Sequence, residues 1–395
     1  MIEIAPDYTY QKSYTKYFDR ALIFFSIFYA FKQSQLDYLG LKMITYPMLI
    51  LSIGYSLLSI FRNYKWNVFR IIGFVLLFFI PLYLRIQYSS NVLASSMLIL
   101  AAYNIPFTHI AKRCIWGITI VFAIVFLALF LGVVEDRLYN RGTILIQNTF
   151  AHDLGFKYYS FYSYLGMGIV QCCIYLWRKH LNIYKILFLM FFSYVFFVLS
   201  STRLQLYACM IFIGVIFILP YIPKFILNNK ILAIVPIIAY PLICFVLYFL
   251  SRYAILYRFY EYYDELNEAM SGRIRLNEEA FVRYDVTLWG NDLDMETTIR
   301  SSKYYFYIDS GYLHVLLGDG LVFTAIILLL YSILTYKLFR AKAYYLYIWI
   351  IIYAILNISN GFLVSLLANP ILLLAFCDIE MIRKDYYMTR KIGRK

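Results

Sequence analysis

The chain has 395 residues, of which 63% are hydrophobic and 15% charged, and its formal net charge is +14 at pH 7. About a quarter of the residues of soluble domains are charged, so this composition excludes an ordinary soluble protein. Apolar runs of about 20 residues, the length that crosses the hydrocarbon core of a bilayer, recur along the chain. We therefore predict an all-α polytopic membrane protein, with residues 1–395 forming a single integral membrane domain.

Hydropathy predicts about twelve transmembrane helices, and no strands are expected. The first apolar run lacks a small-residue cleavage site, which indicates a membrane anchor rather than a signal peptide. The predicted spans are, in chain order, 19–34, 41–61, 67–86, 92–111, 114–134, 159–177, 185–201, 204–223, 230–250, 311–336, 342–358 and 361–378.

The basic residues predict the orientation of these spans. If the N-terminus is cytoplasmic, every second short loop is basic, as the positive-inside rule requires. Both termini are then cytoplasmic, and the positive charge reflects topology rather than a nucleic-acid partner. The predicted inner loops contain Arg62, Lys65, Arg70, Lys112, Arg113, Arg178, Lys179, Lys185, Lys224, Lys230, Lys337, Arg340 and Lys342.

Residues 251–310 are a hydrophilic stretch, predicted to be one large extracytoplasmic loop. It contains eleven of the chain's 22 acidic residues, six arginines and one lysine. Apolar residues recur at helical spacing over 258–270, which predicts an amphipathic helix on the outer surface. Ser271 and Gly272 are expected to break that helix and to cap another that begins near Arg273.

Arginine is favoured over lysine on the predicted outer side, which has ten arginines and four lysines, whereas the inner side has nine and thirteen. The planar guanidinium suits bidentate recognition of phosphate or carboxylate. Pairing with the acids of the loop, or snorkelling at the interface, is the alternative explanation. The candidates for binding a substrate diphosphate are Arg141, Arg203, Arg273 and Arg275.

The remaining candidates follow the large loop or lie within it. Asp309 lies where the loop re-enters the membrane, and His314 lies in the span that follows. An ionisable group in a span suggests function, although at the outer end water can satisfy it. Asp309 is the first candidate for a catalytic base. The secondary candidates are Glu278, Glu279, Tyr312 and His314.

No residue pattern predicts a cofactor. The cysteines fall in or beside predicted spans, so an outward disulfide framework is not expected. The four histidines are scattered along the chain, without the spacing of a zinc site, and no glycine-rich nucleotide loop is present. Asp292-Leu293-Asp294 is a weak metal motif, and we predict no metal.

From about residue 115 onward, the order of features resembles the Wzy-type polysaccharide polymerases, which are related to the O-antigen ligases. Ser201-Thr202-Arg203 is similar to the family's short Ser-x-Arg turn, and Ser271-Gly272-Arg273 to the opening of its outer helical loop. The segment from Asp309 to Leu321 is similar to the family's entry into the next span. The chain departs from its relatives after Gly155-Phe156, where their polar pair is missing, and at Asp309, where ligases have histidine.

The resemblance implies a GT-C-like membrane glycosyltransferase without cofactors, whose catalytic residues are Arg203, Arg273 and Asp309 in one site. Its substrates are polyprenyl-diphosphate-linked oligosaccharides, donor and acceptor, on the outer face of a bacterial cytoplasmic membrane. The product is capsular polysaccharide, O-antigen or exopolysaccharide. Partner proteins implied by the family are a flippase and a chain-length regulator.

Three other functions stay open at this point: a flippase or transporter of the same lipid-linked oligosaccharide, an O-antigen ligase-like transferase, and a non-catalytic subunit of an envelope assembly. Transporters are often built from two repeated halves. No repeat between the halves is evident here, and the polar residues are gathered in one late loop rather than spread through the spans.

Overall fold

The computed structural model describes residues 8–88, 91–140, 150–222, 229–253, 262–269, 272–295 and 306–388. Helices dominate this part of the chain. The α-helices are α1 Tyr8–Lys32, α2 Lys42–Asn63, α3 Val68–Tyr88, α4 Val92–Ala101, α5 Phe107–Phe130, α6 Tyr159–Trp177, α7 Ile183–Ser200, α8 Arg203–Ile218, α9 Lys230–Arg252, α10 Tyr262–Ala269, α11 Arg273–Arg283, α12 Gly311–Gly318, α13 Gly320–Ala341, α14 Tyr344–Leu356 and α15 Ile379–Met388. Short 3-10 helices cover Gln35–Leu39, Leu219–Tyr221 and Pro370–Leu374.

Seven of the described helices are long and apolar enough to cross a bilayer, which indicates a multi-pass α-helical membrane protein. Two shorter apolar helices, α4 and α14, accompany them. The seven candidate spans are Lys42–Asn63, Arg70–Tyr88, Phe107–Phe130, Ile183–Ser200, Arg203–Tyr221, Ile234–Arg252 and Gly320–Ala341.

The chain divides into two compact units. The first unit comprises Met1–Phe78, Leu93–Met210 and Leu366–Lys395. The second unit comprises Phe79–Val92 and Ile211–Ser365.

In the first unit, α1 packs against α2 and α5, and α5 packs against α6. Small residues bring these helices close together. The Ser52 hydroxyl donates to the Ala21 carbonyl at 3.0 Å, and a Cβ on Gly117 would lie 2.5 Å from the Ser26 hydroxyl. Because lipid tails are as apolar as the side chains, such close packing and interhelical hydrogen bonds drive association in a membrane.

In the second unit, α9 packs against α13, and α13 against α14. The ring of Tyr240 stacks on that of Tyr331 with centroids 4.2 Å apart. Both hydroxyls are satisfied by backbone carbonyls, because Tyr240 donates to Ile350 at 2.8 Å and Tyr331 to Leu363 at 2.7 Å. Aromatic area and satisfied polar tips therefore stabilise this core together.

The predicted span 92–111 is wrong as one helix. Helix α4 ends at Ala101, and α5 begins at Phe107, so α5 also takes over the start of the predicted span 114–134. Asn104 has φ +52°, and Pro106 lies just before α5. Proline cannot donate a helical hydrogen bond and disfavours helix in the residue before it, which explains the break.

The predicted span 361–378 is also wrong as an α-helix, since it consists of turns and the 3-10 helix Pro370–Leu374. Residues 366–375 are nevertheless buried. Within the first unit, a Cβ added to Gly168 of α6 would lie 2.9 Å from the Leu367 carbonyl oxygen, so this glycine allows the irregular backbone to approach. Non-helical backbone at membrane depth is tolerated where protein covers it.

The predicted span 311–336 is two helices, α12 and α13, separated at Asp319. Part of the large loop docks on this break through backbone hydrogen bonds, from Leu321 to Thr287 at 3.0 Å and from Asn291 to Gly318 at 3.2 Å. A Cβ on Gly290 or Gly320 would approach the facing backbone well within 3.0 Å. Only glycine fits at either position.

The expectation of no strands is wrong at one place in the first unit. Strand β1, Leu138–Asn140, pairs antiparallel with β2, Phe150–His152, and Leu138 lies opposite His152. The hydropathy pattern that reveals spans is uninformative about so short a pair of strands.

Candidate functional site

Two of the three predicted catalytic residues meet in the second unit. Arg273 Nε lies 3.2 Å from Asp309 Oδ2, and both side chains are about one quarter exposed, at 24% and 28%. The contact is an ion pair rather than a well-aligned hydrogen bond. It joins the start of a helix to a loop that lies far along the chain, at the end of the hydrophilic stretch.

Arg273 is positioned by a turn between α10 and α11. Gly272 has φ +81° and is the N-cap of α11, and its amide donates to the Asn267 carbonyl at 2.7 Å. The Asn267 side chain accepts from the Arg275 amide at 3.1 Å. The predicted helix start near Arg273 is confirmed, whereas Ser271 lies outside the described residues.

Asp309 is held by the segment that follows it. The Gly311 amide donates to the Asn357 carbonyl at 2.9 Å, and Ser310 caps α12 through its hydroxyl. A Cβ on Gly311 would lie 2.6 Å from the Asn360 carbonyl oxygen, so this backbone is tightly seated. The backbone that carries the Asp309 carboxylate is therefore held firmly in place.

The neighbouring acidic candidates have other contacts. The Glu278 carboxylate accepts from the Tyr263 hydroxyl at 3.0 Å, which links α10 to α11. Glu279 forms an ion pair with Arg283 one turn further along α11, and the Arg283 guanidinium lies 4.3 Å from the centre of the Phe306 ring. These contacts suit structural roles within the loop.

The two candidates on α12 differ in exposure. Tyr312 is fully buried, and its hydroxyl donates to the Ala354 carbonyl at 2.8 Å, which fits packing better than substrate contact. His314 is half-buried on the same helix. Arg275 is exposed, and its side chain forms no ion pair with the described residues.

Arg203 belongs to the first unit and begins α8. Its side chain is exposed and has no ion pair or hydrogen bond to the described part of the chain. The turn before it is fixed, because the Thr202 and Ser163 hydroxyls lie 2.8 Å apart and the Ser201 hydroxyl donates to the Phe150 carbonyl at 3.1 Å. Arg141 lies outside the described residues.

Known proteins provide no relative from which a role could be transferred. No protein-family model matches this chain, and no curated protein or solved structure is measurably similar to it. The resemblance to Wzy-type polymerases rests on the residues quoted from the sequence.

The contact between one pair of polar residues was not predicted from the sequence. In the first unit, Asp136 lies just before β1 and His152 ends β2, and His152 Nδ1 lies 2.6 Å from Asp136 Oδ2. The other oxygen of Asp136 accepts from the Leu154 amide at 2.9 Å. The two residues are sixteen positions apart in the sequence. The strand pairing brings them together, and the hydropathy pattern does not reveal that pairing.

Asp153 is the buried neighbour of this pair. Burial raises the pKa of its carboxyl from the ordinary value of 3.8 to about 6, although the amides of Arg137 and Gly155 donate to it and lower the pKa. The Gln35 side-chain amide donates to the same carboxylate at 3.1 Å. Asp153 thus ties the hairpin to the segment that follows α1.

The described residues contain no cluster of three or more His, Cys, Asp or Glu side chains suited to a metal ion. Asp292 and Asp294 are both exposed. The Asp294 amide donates to the Tyr284 hydroxyl at 2.9 Å, which anchors this part of the loop.

Proposed function

We propose that this protein is a membrane glycosyltransferase that polymerises polyprenyl-diphosphate-linked oligosaccharide repeat units on the outer face of a bacterial cytoplasmic membrane. The observation that carries the proposal is the Arg273–Asp309 ion pair, at 3.2 Å. Two residues singled out for this chemistry, far apart in the sequence, are in contact. Both are partly exposed and can therefore meet a substrate.

The chemistry requires a fixed cation. A hydroxyl oxygen of the acceptor sugar attacks the anomeric carbon of the donor, the bond from that carbon to the diphosphate oxygen breaks, and the lipid diphosphate leaves. The hydroxyl proton passes to a base. Negative charge grows on the leaving oxygen, and a preorganised guanidinium stabilises it. We assign this role to Arg273.

Asp309 then acts mainly on Arg273. Its Oδ2 already pairs with the Arg273 guanidinium at 3.2 Å, so this oxygen is occupied by the cation rather than open to the proton of a hydroxyl. The sequence favoured Asp309 as the base, but its contact with Arg273 favours a positioning role. The contacts of Ser310 and Gly311 support the positioning role, because they hold the backbone of Asp309 in place. A fixed carboxylate in turn fixes the guanidinium that it pairs with.

Reconstitution tests the proposal. Cells that lack the protein should accumulate single repeat units on their lipid carrier, and these can be extracted as the substrate. We expect the purified protein in liposomes to convert them into a ladder of longer glycans. Arg273→Gln and Asp309→Asn should slow chain extension by about 100-fold, the usual loss when one stabilising group is removed.

The matched control is Arg283→Gln. This arginine ends the same helix and also pairs with a carboxylate, but it has no assigned role in the chemistry. It should extend chains at the wild-type rate. Wild-type rates in both site variants would overturn the site, and the absence of a ladder from wild-type protein would overturn the polymerase. Transfer of the unextended lipid across the liposome membrane would indicate a flippase instead.

A further inference from the structure

The hairpin of the first unit holds a histidine and a carboxylate in an arrangement suited to proton transfer. His152 Nδ1 lies 2.6 Å from Asp136 Oδ2, with the side chains 38% and 30% exposed. An ionised carboxylate can only accept, so Nδ1 carries the hydrogen in this pair and Nε2 is the basic nitrogen. Nε2 has no hydrogen bond to the described residues, and the exposed ring can meet a ligand.

Contacts with residues outside the two strands fix the orientation of the ring. Asp136 is immobilised because its second oxygen accepts from the Leu154 amide at 2.9 Å. The backbone of His152 is anchored as well, since its carbonyl accepts from the Tyr162 hydroxyl on α6 at 3.0 Å. A carboxylate that orients imidazole and stabilises its protonated form is the usual partner of a histidine base.

A second histidine–carboxylate pair gives a comparison within the same unit. His109 Nε2 lies 2.6 Å from Asp19, but the other oxygen of Asp19 is 3.0 Å from Arg113. That carboxylate is already neutralised by a permanent cation, and the pair lies on the predicted inner side. His152 and Asp136 have no arginine or lysine in a described ion pair with them.

Arg203 is linked to this hairpin inside the first unit. The Ser201 hydroxyl donates to the Phe150 carbonyl at 3.1 Å, and Phe150 lies two residues before His152 in β2. Two residues along a strand span about 7 Å. An exposed cation and an exposed, oriented imidazole thus belong to one connected polar region, defined by Asp136, His152 and Arg203.

We propose that His152, oriented by Asp136, is the proton acceptor for a hydroxyl of the acceptor glycan. The inference rests on the proposed function, and the residues that it uses, Asp136 and His152, both belong to the first unit. As the hydroxyl oxygen forms its bond to the anomeric carbon, its proton moves to Nε2, and the imidazolium formed is stabilised by Asp136. The donor's bond to diphosphate breaks in the same reaction, so the electron pair leaves with the lipid diphosphate.

The test uses the reconstituted full-length protein and the extracted lipid-linked repeat units. His152→Ala and His152→Gln should each slow chain extension by about 100-fold or more, the usual contribution of a positioned base. Added imidazole should restore part of the rate to His152→Ala, because the small base can occupy the space left by the side chain. Asp136→Asn keeps an acceptor for the Leu154 amide but removes the charge, and it should slow extension at least tenfold.

His109→Ala is the control, since it also removes a histidine from a carboxylate pair but should leave the rate unchanged. If wild-type protein extends chains and His152→Ala does so equally fast, the inference is wrong while the polymerase stands. Slow extension without rescue by imidazole, together with a normal rate in Asp136→Asn, would reduce His152 to a structural residue. If wild-type protein makes no polymer, both proposals fall.

Discussion

Arginines in and beside the large loop differ in what holds them. Arg252 donates to the Phe281 carbonyl at 3.1 Å, and Arg283 is held by Glu279. Arg273 pairs with a carboxylate whose own backbone is rigid. Arg203 and Arg275 are exposed and have no ion pair with the described residues. Arg252 and Arg283 therefore support the structure of the loop, whereas Arg203 and Arg275 can bind an external anion.

Substitution of Arg203 separates stability from function. We expect Arg203→Gln to change the free energy of unfolding by no more than about 0.5 kcal/mol, as is usual for an exposed side chain that makes no ion pair with the described residues. Chain extension should nevertheless fall about tenfold or more. Thermal unfolding in detergent and the reconstituted assay measure the two effects, and a large loss of stability with no change in rate would contradict the prediction.

Asp153 should make stability depend on pH. Its pKa is about 6 in the folded protein against an ordinary 3.8, so the protonated form favours folding. This stabilisation is complete below about pH 4 and is lost as pH rises towards 6, by about 3 kcal/mol at most.

The comparison is with Asp153→Asn, which cannot titrate and still offers an oxygen to the Arg137 and Gly155 amides. Melting curves between pH 4 and pH 7 should show the difference between the two proteins change across this window. Parallel curves would contradict the raised pKa.

Glycines allow the large loop to dock on the break between α12 and α13. A Cβ on Gly290 or Gly320 would collide with backbone, and both residues have positive φ. We expect Gly290→Ala and Gly320→Ala to lower the melting temperature sharply or to prevent folding. Gly40→Ala is the control, since Gly40 has φ +65° but open space around it, and it should cost only about 1–2 kcal/mol. Equal losses in all three variants would show that steric fit is irrelevant here.

The helices and the breaks between them show which features the sequence could and could not predict. Long apolar runs such as α5 and α13 were found because hydropathy measures transfer to lipid. The breaks at 102–106 and 361–378 were missed because their composition is as apolar as a helix, although Pro106 and Pro370 were visible signals. Arg273 and Asp309 were selected by residue type and position, whereas the Asp136–His152 pair depends on strand register, which no apolar pattern encodes.

The predicted orientation of the protein in the membrane can be tested with single cysteines. Asp285 is 84% exposed in the large loop, and Glu380 is exposed near the C-terminus. All native cysteines are buried except the half-buried Cys173, so background labelling is low. A membrane-impermeant maleimide should label Asp285→Cys in intact cells and Glu380→Cys only after permeabilisation. The reverse pattern would place the loop inside.

The irregular segment that lies against Gly168 has a consequence for how the protein is made. A continuous apolar helix can enter lipid as soon as it leaves the insertion machinery, because its backbone polar groups are already paired. Residues 366–375 cannot do so, since only Pro370–Leu374 of this stretch is helical and that part is a short 3-10 helix. We therefore expect these residues to remain at the membrane surface until α5 and α6 have packed together and can bury them. Assembly of the first unit would then depend on a segment that is synthesised long after α5 and α6.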